Sequence, residues 1–223
     1  MTTMLIAGAS RGIGAAVAAH FAVSTETLYS VSRSRSPHGE WIEADLASQG
    51  GIDAVADKLG DTPLDALLYT GGIWEAGAFT DEYRFDSSSM AEIDAVIAVN
   101  LTAPIKLVRA LLTNLRKAEA PRVVMIGALR SDGDREVANT ASKHGLAGAA
   151  QAMKCELRKD RIGVTVINPG NVATNEVIED IETGAFGPQT PIPMTDLISA
   201  IDWALSLSAA SVATEINLAQ IDA

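Results

Sequence analysis

A glycine-rich turn near the start of the chain has the residue types and spacing of a phosphate-binding site. Gly8–Gly14, with the sequence GASRGIG, follows the apolar run Met4–Ala7 and opens a stretch with helical spacing. A strand, a glycine turn and a helix N-terminus together present backbone N–H groups that bind a pyrophosphate. Ordinary β–α turns are also glycine-rich, but this turn stands at the start of an alternating chain, which favours a dinucleotide site.

The segment after the second apolar run indicates which nicotinamide cofactor such a site would take. An acidic residue about 20 positions beyond the glycine turn would bind the ribose 2′-hydroxyl of NAD(H) and repel a 2′-phosphate. Val31–Arg35 has the sequence VSRSR and contains no carboxylate. Arg33 and Arg11 could hold a phosphate, and the hydroxyls of Ser32 and Ser34 could assist them. These residues favour NADP(H) over NAD(H), the alternative being that both arginines are ordinary solvated surface residues.

Two polar side chains interrupt apolar stripes further along the chain. Asn100 lies within a stripe of aliphatic residues at helical spacing between Ile93 and Leu115. A buried amide costs free energy unless its hydrogen bonds are made, so Asn100 needs partners or a function. Pro104 should loosen this helix and free carbonyl groups near Asn100. Lys143 extends the inner stripe of a second helix, so it either reaches solvent or points into a cleft.

The elements that would position these residues alternate between short strands and helices. Segments with helical spacing, such as Ile13–Val23 and Ile52–Leu59, separate seven apolar runs of strand character. These runs are Met4–Ala7, Leu28–Val31, Trp41–Ala44, Leu64–Tyr69, Arg122–Ile126, Val164–Ile167 and Glu215–Leu218. Short apolar strands separated by helices predict right-handed crossovers. The expected fold is one α/β domain, residues 1–223, whose doubly wound parallel sheet carries helices on both faces.

Composition and charge argue against several classes of function. The chain has 223 residues, 48% of them apolar, which suits one domain with a sizeable core. Its net charge of −11 argues against nucleic-acid binding, which requires clustered lysine and arginine. No membrane helix, signal segment or metal site is predicted. A single cysteine, Cys155, cannot form an internal disulfide, so a cytoplasmic location is expected.

Taken together, these segments resemble the short-chain dehydrogenase/reductase family over nearly the whole chain, which implies a Rossmann-like fold. Five segments in the family's order carry the resemblance: Ala7–Gly14 (cofactor turn), Asp45-Leu46 (adenine contact), Leu68–Gly72 (beside the cofactor), Val99–Leu101 (helix asparagine) and Asn168–Thr174 (closing over the nicotinamide). Ala7 stands where threonine is usual, and only the final glycine of Leu68–Gly72 matches the usual Asn-Asn-Ala-Gly fully. The resulting cofactor-binding positions are Gly8, Ser10, Arg11, Gly12, Ile13, Gly14, Ser32, Arg33, Ser34, Asp45, Leu46, Thr70, Gly71, Gly72, Asn100, Lys143, Pro169, Gly170, Val172 and Thr174.

The resemblance breaks at the reaction centre. Family members commonly carry a serine after the fifth strand and a tyrosine four residues before a lysine, and these positions hold Ala128 and Asn139 here. Lys143 and Asn100 remain, and the resemblance implies that they bind the nicotinamide ribose and order a water. The usual tyrosine supplies a proton because a neighbouring ammonium lowers its pKa, whereas an asparagine amide is no useful acid. Ser131 could take over the missing hydroxyl if its loop is displaced, so the catalytic candidates are Asn100, Lys143, Ser131 and Asn139.

Other nearby groups leave alternatives open. Tyr69, at the end of the fourth strand, could approach a substrate or pack against the cofactor. His144 is predicted to have a structural or surface role, and the charged residues Asp132, Asp134, Arg135 and Glu136 are predicted to form a solvated surface loop. The specificity segments Trp74–Ser89 and Ala173–Thr195 show no charged cluster that names a substrate, and Ala173–Thr195 is predicted to be a mobile loop.

Two main hypotheses follow from the preserved cofactor residues and the altered reaction centre. The first is an NADP(H)-dependent oxidoreductase acting on a small carbonyl or alcohol substrate, with a water, the substrate or Ser131 completing proton transfer. The second is an NADP(H)-binding sensor or partner protein without turnover, and non-redox chemistry in the same cleft is a third possibility. The first is favoured, because a lysine and an asparagine have little reason to stay on buried stripes once a site is abandoned. The resemblance also implies a homodimer or homotetramer, paired through the helices around Met90–Leu115 and Asn139–Lys159.

Overall fold

A seven-stranded parallel sheet lies at the centre of the computed structural model, which describes residues 3–129 and 135–221. The strand order is β3-β2-β1-β4-β5-β6-β7. The strands are β1 (Thr3–Ala7), β2 (Thr27–Ser32), β3 (Glu40–Glu43), β4 (Ala66–Tyr69), β5 (Arg122–Ile126), β6 (Gly163–Pro169) and β7 (Glu215–Leu218). Every residue of β1, β4, β5 and β6 is buried, as expected of parallel strands covered on both faces.

The helices form two layers, one on each face of the sheet. They are α1 (Gly12–Phe21), α2 (Gln49–Leu59), α3 (Met90–Ile97), α4 (Ala103–Ala110), α5 (Leu112–Arg116), α6 (Val137–Glu156), α7 (Asn175–Glu182) and α8 (Met194–Ser206). Alternate residues of a strand point to opposite faces. Leu5 therefore joins the core beneath α2, α4 and α6, whereas Met4 and Ile6 join the core beneath α1 and α8. The predicted doubly wound α/β sheet is confirmed.

The strand order reverses between β1 and β4, and this reversal fixes where a ligand can bind. The chain winds outward from β1 through β2 to β3, and then returns to β4 on the other side of β1. Ala7 and Tyr69 are register partners at the carboxyl ends of these two strands. Crossover helices leave such a reversal point in opposite directions, so a crevice opens above it.

The long helix predicted around Asn100 is interrupted by a π-helical segment at Ala98–Thr102. Pro104 stands in the first turn of α4, directly after this segment. Proline has no N–H to donate, so carbonyl groups in the preceding turn become available. The Tyr69 hydroxyl uses one of them, donating to the Val99 carbonyl oxygen at 2.7 Å. The expected loosening at Pro104 is therefore present.

The segment Ala173–Thr195 differs from the loop predicted there, because it contains helix α7. The Thr174 hydroxyl caps this helix by accepting a hydrogen bond from the Val177 N–H at 3.3 Å. The glycines and prolines that suggested a loop all come after the helix ends. Among the described helices, none is both long and apolar enough to span a membrane.

Candidate active site

Helix α1 begins with backbone N–H groups that are available to a ligand. Its first backbone hydrogen bond runs from the Ala15 N–H to the Arg11 carbonyl oxygen at 3.1 Å, so the N–H groups of Gly12, Ile13 and Gly14 precede the helical ladder. Helices α2, α3 and α7 are each capped by a serine or threonine, but within the described ranges α1 has no side-chain cap and no acidic residue in its first turn. An uncapped N-terminus with its positive dipole end suits a phosphate group.

The turn before α1 is so tight that two of its positions accept only glycine. Gly8 has φ +90°, and a Cβ there would lie 2.6 Å from the Gly71 nitrogen. A Cβ on Gly14 would lie 2.0 Å from the Gly8 carbonyl oxygen. The Thr70 hydroxyl ties this turn to the end of β4 by donating to the Ala7 carbonyl oxygen at 2.8 Å. This turn, Gly8–Gly14, is here called the cradle. Its shape is set by backbone contacts, and its open side faces the crevice above the sheet.

A cavity of about 770 Å³ extends from this cradle across the carboxyl ends of the strands. Every predicted cofactor-binding residue except Asn100 lines it, and so do Ala128 and Asn139. Ser131 lies outside the described residues. Most of the predicted site is thus brought together in one cavity, which extends from the turn before α1 to Lys143 and Asn139.

Asn100 is fully buried behind the cavity, where it joins the end of β4 to helix α6. Its amide oxygen accepts from the Ile73 N–H at 2.9 Å, and its amide nitrogen donates to the Ile73 carbonyl oxygen at 2.7 Å. The same nitrogen lies 3.1 Å from the Ser142 hydroxyl. These bonds satisfy the buried amide. Asn100 therefore holds the backbone on which the cavity-lining groups stand, and its side chain does not reach the cavity itself.

Lys143 lies on the inner face of α6, with its ammonium at the cavity wall. Its Nζ donates to the carbonyl oxygen of Ile126, the last residue of β5, at 3.2 Å. A Cβ on Gly72 would lie 3.6 Å from this Nζ, which places the ammonium beside the loop after β4. Burial penalises the charged form and lowers the pKa of Lys143 from 10.5 to about 8. The ammonium is therefore a usable proton donor near neutral pH.

Glu75 is a site residue that the sequence analysis missed. Its side chain lines the cavity and the residue is only 1% exposed. One carboxylate oxygen accepts from the Ala138 N–H at 2.6 Å and the Asn139 N–H at 3.2 Å, so Glu75 caps α6 from a distant loop. A carboxylate at a helix N-terminus is favourably placed. No local sequence pattern distinguishes Glu75 from a solvated acid, because its partners lie more than 60 residues away.

The loop after β4 is fixed to the start of α6 by further hydrogen bonds. The Tyr83 hydroxyl accepts from the Val137 N–H at 3.0 Å, and a Glu136 carboxylate oxygen accepts from the Phe79 N–H at 2.7 Å. Glu136 is buried, so the prediction that this residue belongs to a solvated segment is wrong. The reason is that Glu136 has a specific backbone donor in a loop 57 residues earlier. The cavity wall formed by this loop is therefore preorganised.

Two other titratable candidates take structural roles. Tyr69 lines the cavity, but its hydroxyl already donates a hydrogen bond to the Val99 carbonyl oxygen. Burial also raises the pKa of Tyr69 further from neutrality. The exposed His144 ring donates from Nδ1 to the Thr140 carbonyl oxygen at 2.9 Å, on the helix surface. Within the part of the chain that the structure describes, no cluster of three or more histidine, cysteine, aspartate or glutamate side chains could hold a metal ion. Tyr69 and His144 are therefore held by backbone carbonyl groups, whereas the Lys143 ammonium lines the cavity.

The fold and the cradle are those of a nucleotide-binding α/β protein, and comparison with known proteins identifies the family. A family model described as short chain dehydrogenase matches residues 2–183. Among similar proteins, the short-chain dehydrogenase/reductase olcF of Penicillium canescens is 26% identical over 210 residues, covering 89% of this chain and 79% of the relative. The ketoacyl reductase HetN of Nostoc sp. is 30% identical over 202 residues, covering 82% and 68%.

A solved structure agrees with this assignment. A metagenomic short-chain oxidoreductase in complex with NADP superimposes with a TM-score of 0.80 at 25% identity, covering 98% of this chain and 96% of that chain. The chain belongs to the short chain dehydrogenase family, and it is an oxidoreductase.

Proposed function

We propose that this protein is an NADP(H)-dependent oxidoreductase that transfers a hydride between the cofactor and a small carbonyl or alcohol substrate. The observation that carries the proposal is a single cavity that joins the uncapped N-terminus of α1 to the Lys143 ammonium. The residues fit the cofactor, because the tight turn that Gly8 and Gly14 permit brings the uncapped N-terminus of α1 to the cavity. The metagenomic neighbour that contains NADP has the same fold. A cytoplasmic location and a homodimer or homotetramer remain predictions from the sequence.

The preference for NADP(H) rests on the end of β2. Arg33 and Arg11 both line the cavity there, and Arg33 is exposed to a ligand. The Ser32 hydroxyl donates to the Ser34 carbonyl oxygen at 2.6 Å and so shapes the turn that presents Arg33. Arg11 pairs with Glu176 at 3.1 Å across the cavity mouth. Arg33 is therefore the more available partner for a 2′-phosphate.

Replacement of Arg33 by alanine should weaken NADPH binding about tenfold or more, because a hydrogen bond to a charged group contributes about 1.5–3 kcal/mol. Binding of NADH, which lacks the 2′-phosphate, should not change. Titration calorimetry of both cofactors measures this difference. The matched control is Arg35→Ala, an exposed arginine two residues away that does not line this cavity. Equal losses in the two variants, or equal affinities of the wild type for NADPH and NADH, would count against the proposed cofactor.

Lys143 supplies the proton in the proposed reduction. When bound, NADPH provides the hydride that reduces the carbonyl carbon. The carbonyl oxygen gains negative charge as this happens and must receive a proton. The Lys143 ammonium lines the cavity, gives its proton to that oxygen and is reprotonated from water. Asn139, also on the cavity wall, can donate an amide hydrogen bond to the same oxygen, in the place of the usual tyrosine.

The rate of reduction should fall above about pH 8. The group that acts is the protonated ammonium, and its pKa is lowered from 10.5 to about 8. As pH rises through this value the acid is lost, so the rate should decrease about tenfold per pH unit. An unperturbed lysine would keep the rate level to about pH 10. Reduction of trifluoroacetophenone, an activated ketone, measured between about pH 6 and about pH 10 tests this. A level profile across that range would exclude Lys143 as the proton donor.

The absence of a hydroxyl at Ala128 and Asn139 favours a second candidate function, cofactor binding without turnover. Like the first candidate, it predicts that Arg33→Ala weakens NADPH binding. Unlike the first candidate, it predicts no hydride transfer. It predicts tight NADPH binding with no cofactor oxidation across neutral, activated carbonyl compounds. Turnover of any one of them in a reaction that requires Lys143 would exclude it.

A further inference from the structure

We propose that the substrate is a flat, apolar and uncharged ring compound that binds against three aromatic side chains at the cavity mouth. The inference rests on the proposed function, since it names the substrate class for that same site. The three side chains, here called the aromatic wall, are Trp74, Phe79 and Phe186.

The aromatic wall is continuous and unusually exposed. The ring centroids of Trp74 and Phe79 are 5.9 Å apart, and those of Phe79 and Phe186 are 6.2 Å apart, both in edge-to-face arrangements. Trp74 is 53% exposed and Phe79 is 45% exposed, although all three rings line a cavity. Exposed clusters of large apolar side chains mark binding surfaces, because a ligand that covers them removes apolar area from water.

The backbone at Phe79 is strained in a way that keeps its ring at the mouth. Phe79 has φ +65°, in the left-handed region that bulky residues rarely adopt. The Glu136 carboxylate holds this conformation by accepting the Phe79 N–H at 2.7 Å. Strained backbone persists where the surrounding structure enforces it, and it is concentrated at ligand sites. The backbone conformation of the loop therefore sets the position of the Phe79 ring.

The aromatic wall is formed by two separate segments. Trp74 and Phe79 belong to the loop that is fixed to α6, whereas Phe186 follows α7 and its N–H donates to the Asp180 carbonyl oxygen at 3.0 Å. The Phe79–Phe186 contact joins these two segments above the cavity. Aromatic rings prefer offset or edge contacts with other rings, so this surface fits a planar ligand better than a flexible chain.

The charges around the aromatic wall define what the ligand cannot carry. Carboxylates of Glu75 and Asp180 line the cavity, together with that of Glu176, which is paired with Arg11. The protein as a whole has a net charge of −11. Among the described cavity residues, Lys143 is the basic side chain outside the cradle and the β2 turn, and it faces the reacting oxygen in the proposed function. An anionic substrate would meet these carboxylates, and a cationic one would meet the Lys143 ammonium. A neutral ring compound avoids both penalties.

The experiment compares two probes that share one ring system and one ketone, the second of which also carries a carboxylate. Neutral acetylnaphthalene and anionic acetylnaphthoate are titrated, by ligand-observed NMR, into the protein with and without NADP⁺, so that binding is measured without turnover. The wild type should bind acetylnaphthalene about tenfold more tightly than acetylnaphthoate. Phe186→Ala should weaken acetylnaphthalene binding about threefold to tenfold. The matched control is Trp203→Ala, which removes a ring that is 54% exposed on α8 and does not line the cavity.

The outcomes distinguish a failure of this inference from a failure of the proposed function. Equal binding of the two probes, or equal effects of Phe186→Ala and Trp203→Ala, overturns the inference. Hydride transfer to an aliphatic or anionic carbonyl compound, without binding of acetylnaphthalene, overturns it too and leaves the proposed function standing. Acetylnaphthalene binding that depends on Phe186, with no NADPH oxidation for any carbonyl compound, supports the aromatic wall and contradicts the proposed function.

Discussion

Replacement of Lys143 by methionine should reduce the rate of ketone reduction by about a thousandfold, within the range that one positioned general acid contributes. Methionine keeps the length of the side chain and removes the ammonium that lines the cavity. The fold should persist, because the hydrogen bond given up is one to the Ile126 carbonyl oxygen. The measurement is kcat for trifluoroacetophenone reduction, with the thermal midpoint of unfolding determined in parallel.

The control for this variant is Lys154→Met, three turns further along α6 and outside the cavity lining. It should retain wild-type activity. Stability gives a second readout: the folded-state pKa of Lys143 is lowered, so the unfolded chain binds more protons between about pH 8 and about pH 10.5 and the wild type gains stability as pH rises through this interval. Lys143→Met should lose that gain. A Lys143→Met variant that keeps more than a tenth of the activity would show that another group donates the proton.

Replacement of Gly14 by alanine should abolish NADPH binding, with a loss of affinity of at least about a hundredfold. The new Cβ would lie 2.0 Å from the Gly8 carbonyl oxygen and 2.6 Å from the Thr70 hydroxyl, so the turn must open. Overpacking of this kind should also lower the free energy of unfolding by about 1–3 kcal/mol. Titration calorimetry measures the affinity, and denaturant unfolding measures the stability.

Gly50→Ala is the matched control for the glycine cradle. Gly50 lies in the first turn of α2, and a Cβ there would have no neighbour within 4 Å among the described atoms. This substitution should leave cofactor affinity unchanged and stabilise the helix by about 0.5–1 kcal/mol. If Gly14→Ala bound NADPH within a factor of about three of the wild type, the cradle would not be the phosphate site.

The order of the elements and the cofactor cradle could be predicted because their signals are local. The run Met4–Ala7 is apolar throughout and the glycines follow it immediately, so strand, turn and helix are specified within fifteen residues. The strand runs Arg122–Ile126 and Glu215–Leu218 have the same bounds in the structure. Helix α7 could not be predicted, since it is one short helix next to a stretch rich in glycine and proline.

The reaction centre could be predicted only in part, because its contacts join distant parts of the chain. The sequence indicates that Asn100 needs hydrogen-bond partners, but the partners Ile73 and Ser142 become known from the fold. In the sequence, Glu75 and Glu136 cannot be told apart from ordinary surface acids. They are buried because the loop after β4 packs against the start of α6. The missing serine and tyrosine are visible in the sequence, whereas the lowered pKa of Lys143 depends on burial by the folded chain.

Transfer of deuterium from the cofactor tests the central claim most directly. The protein is incubated with NADPH deuterated at both C4 positions and with trifluoroacetophenone, and the product alcohol is analysed by mass spectrometry. The proposed function predicts one deuterium on the carbinol carbon, formed by the wild type and about a thousandfold more slowly by Lys143→Met. An NADPH complex detected by calorimetry, with no deuterated alcohol from trifluoroacetophenone or from any other neutral aromatic ketone offered, would contradict the assignment of this site as a ketone reductase.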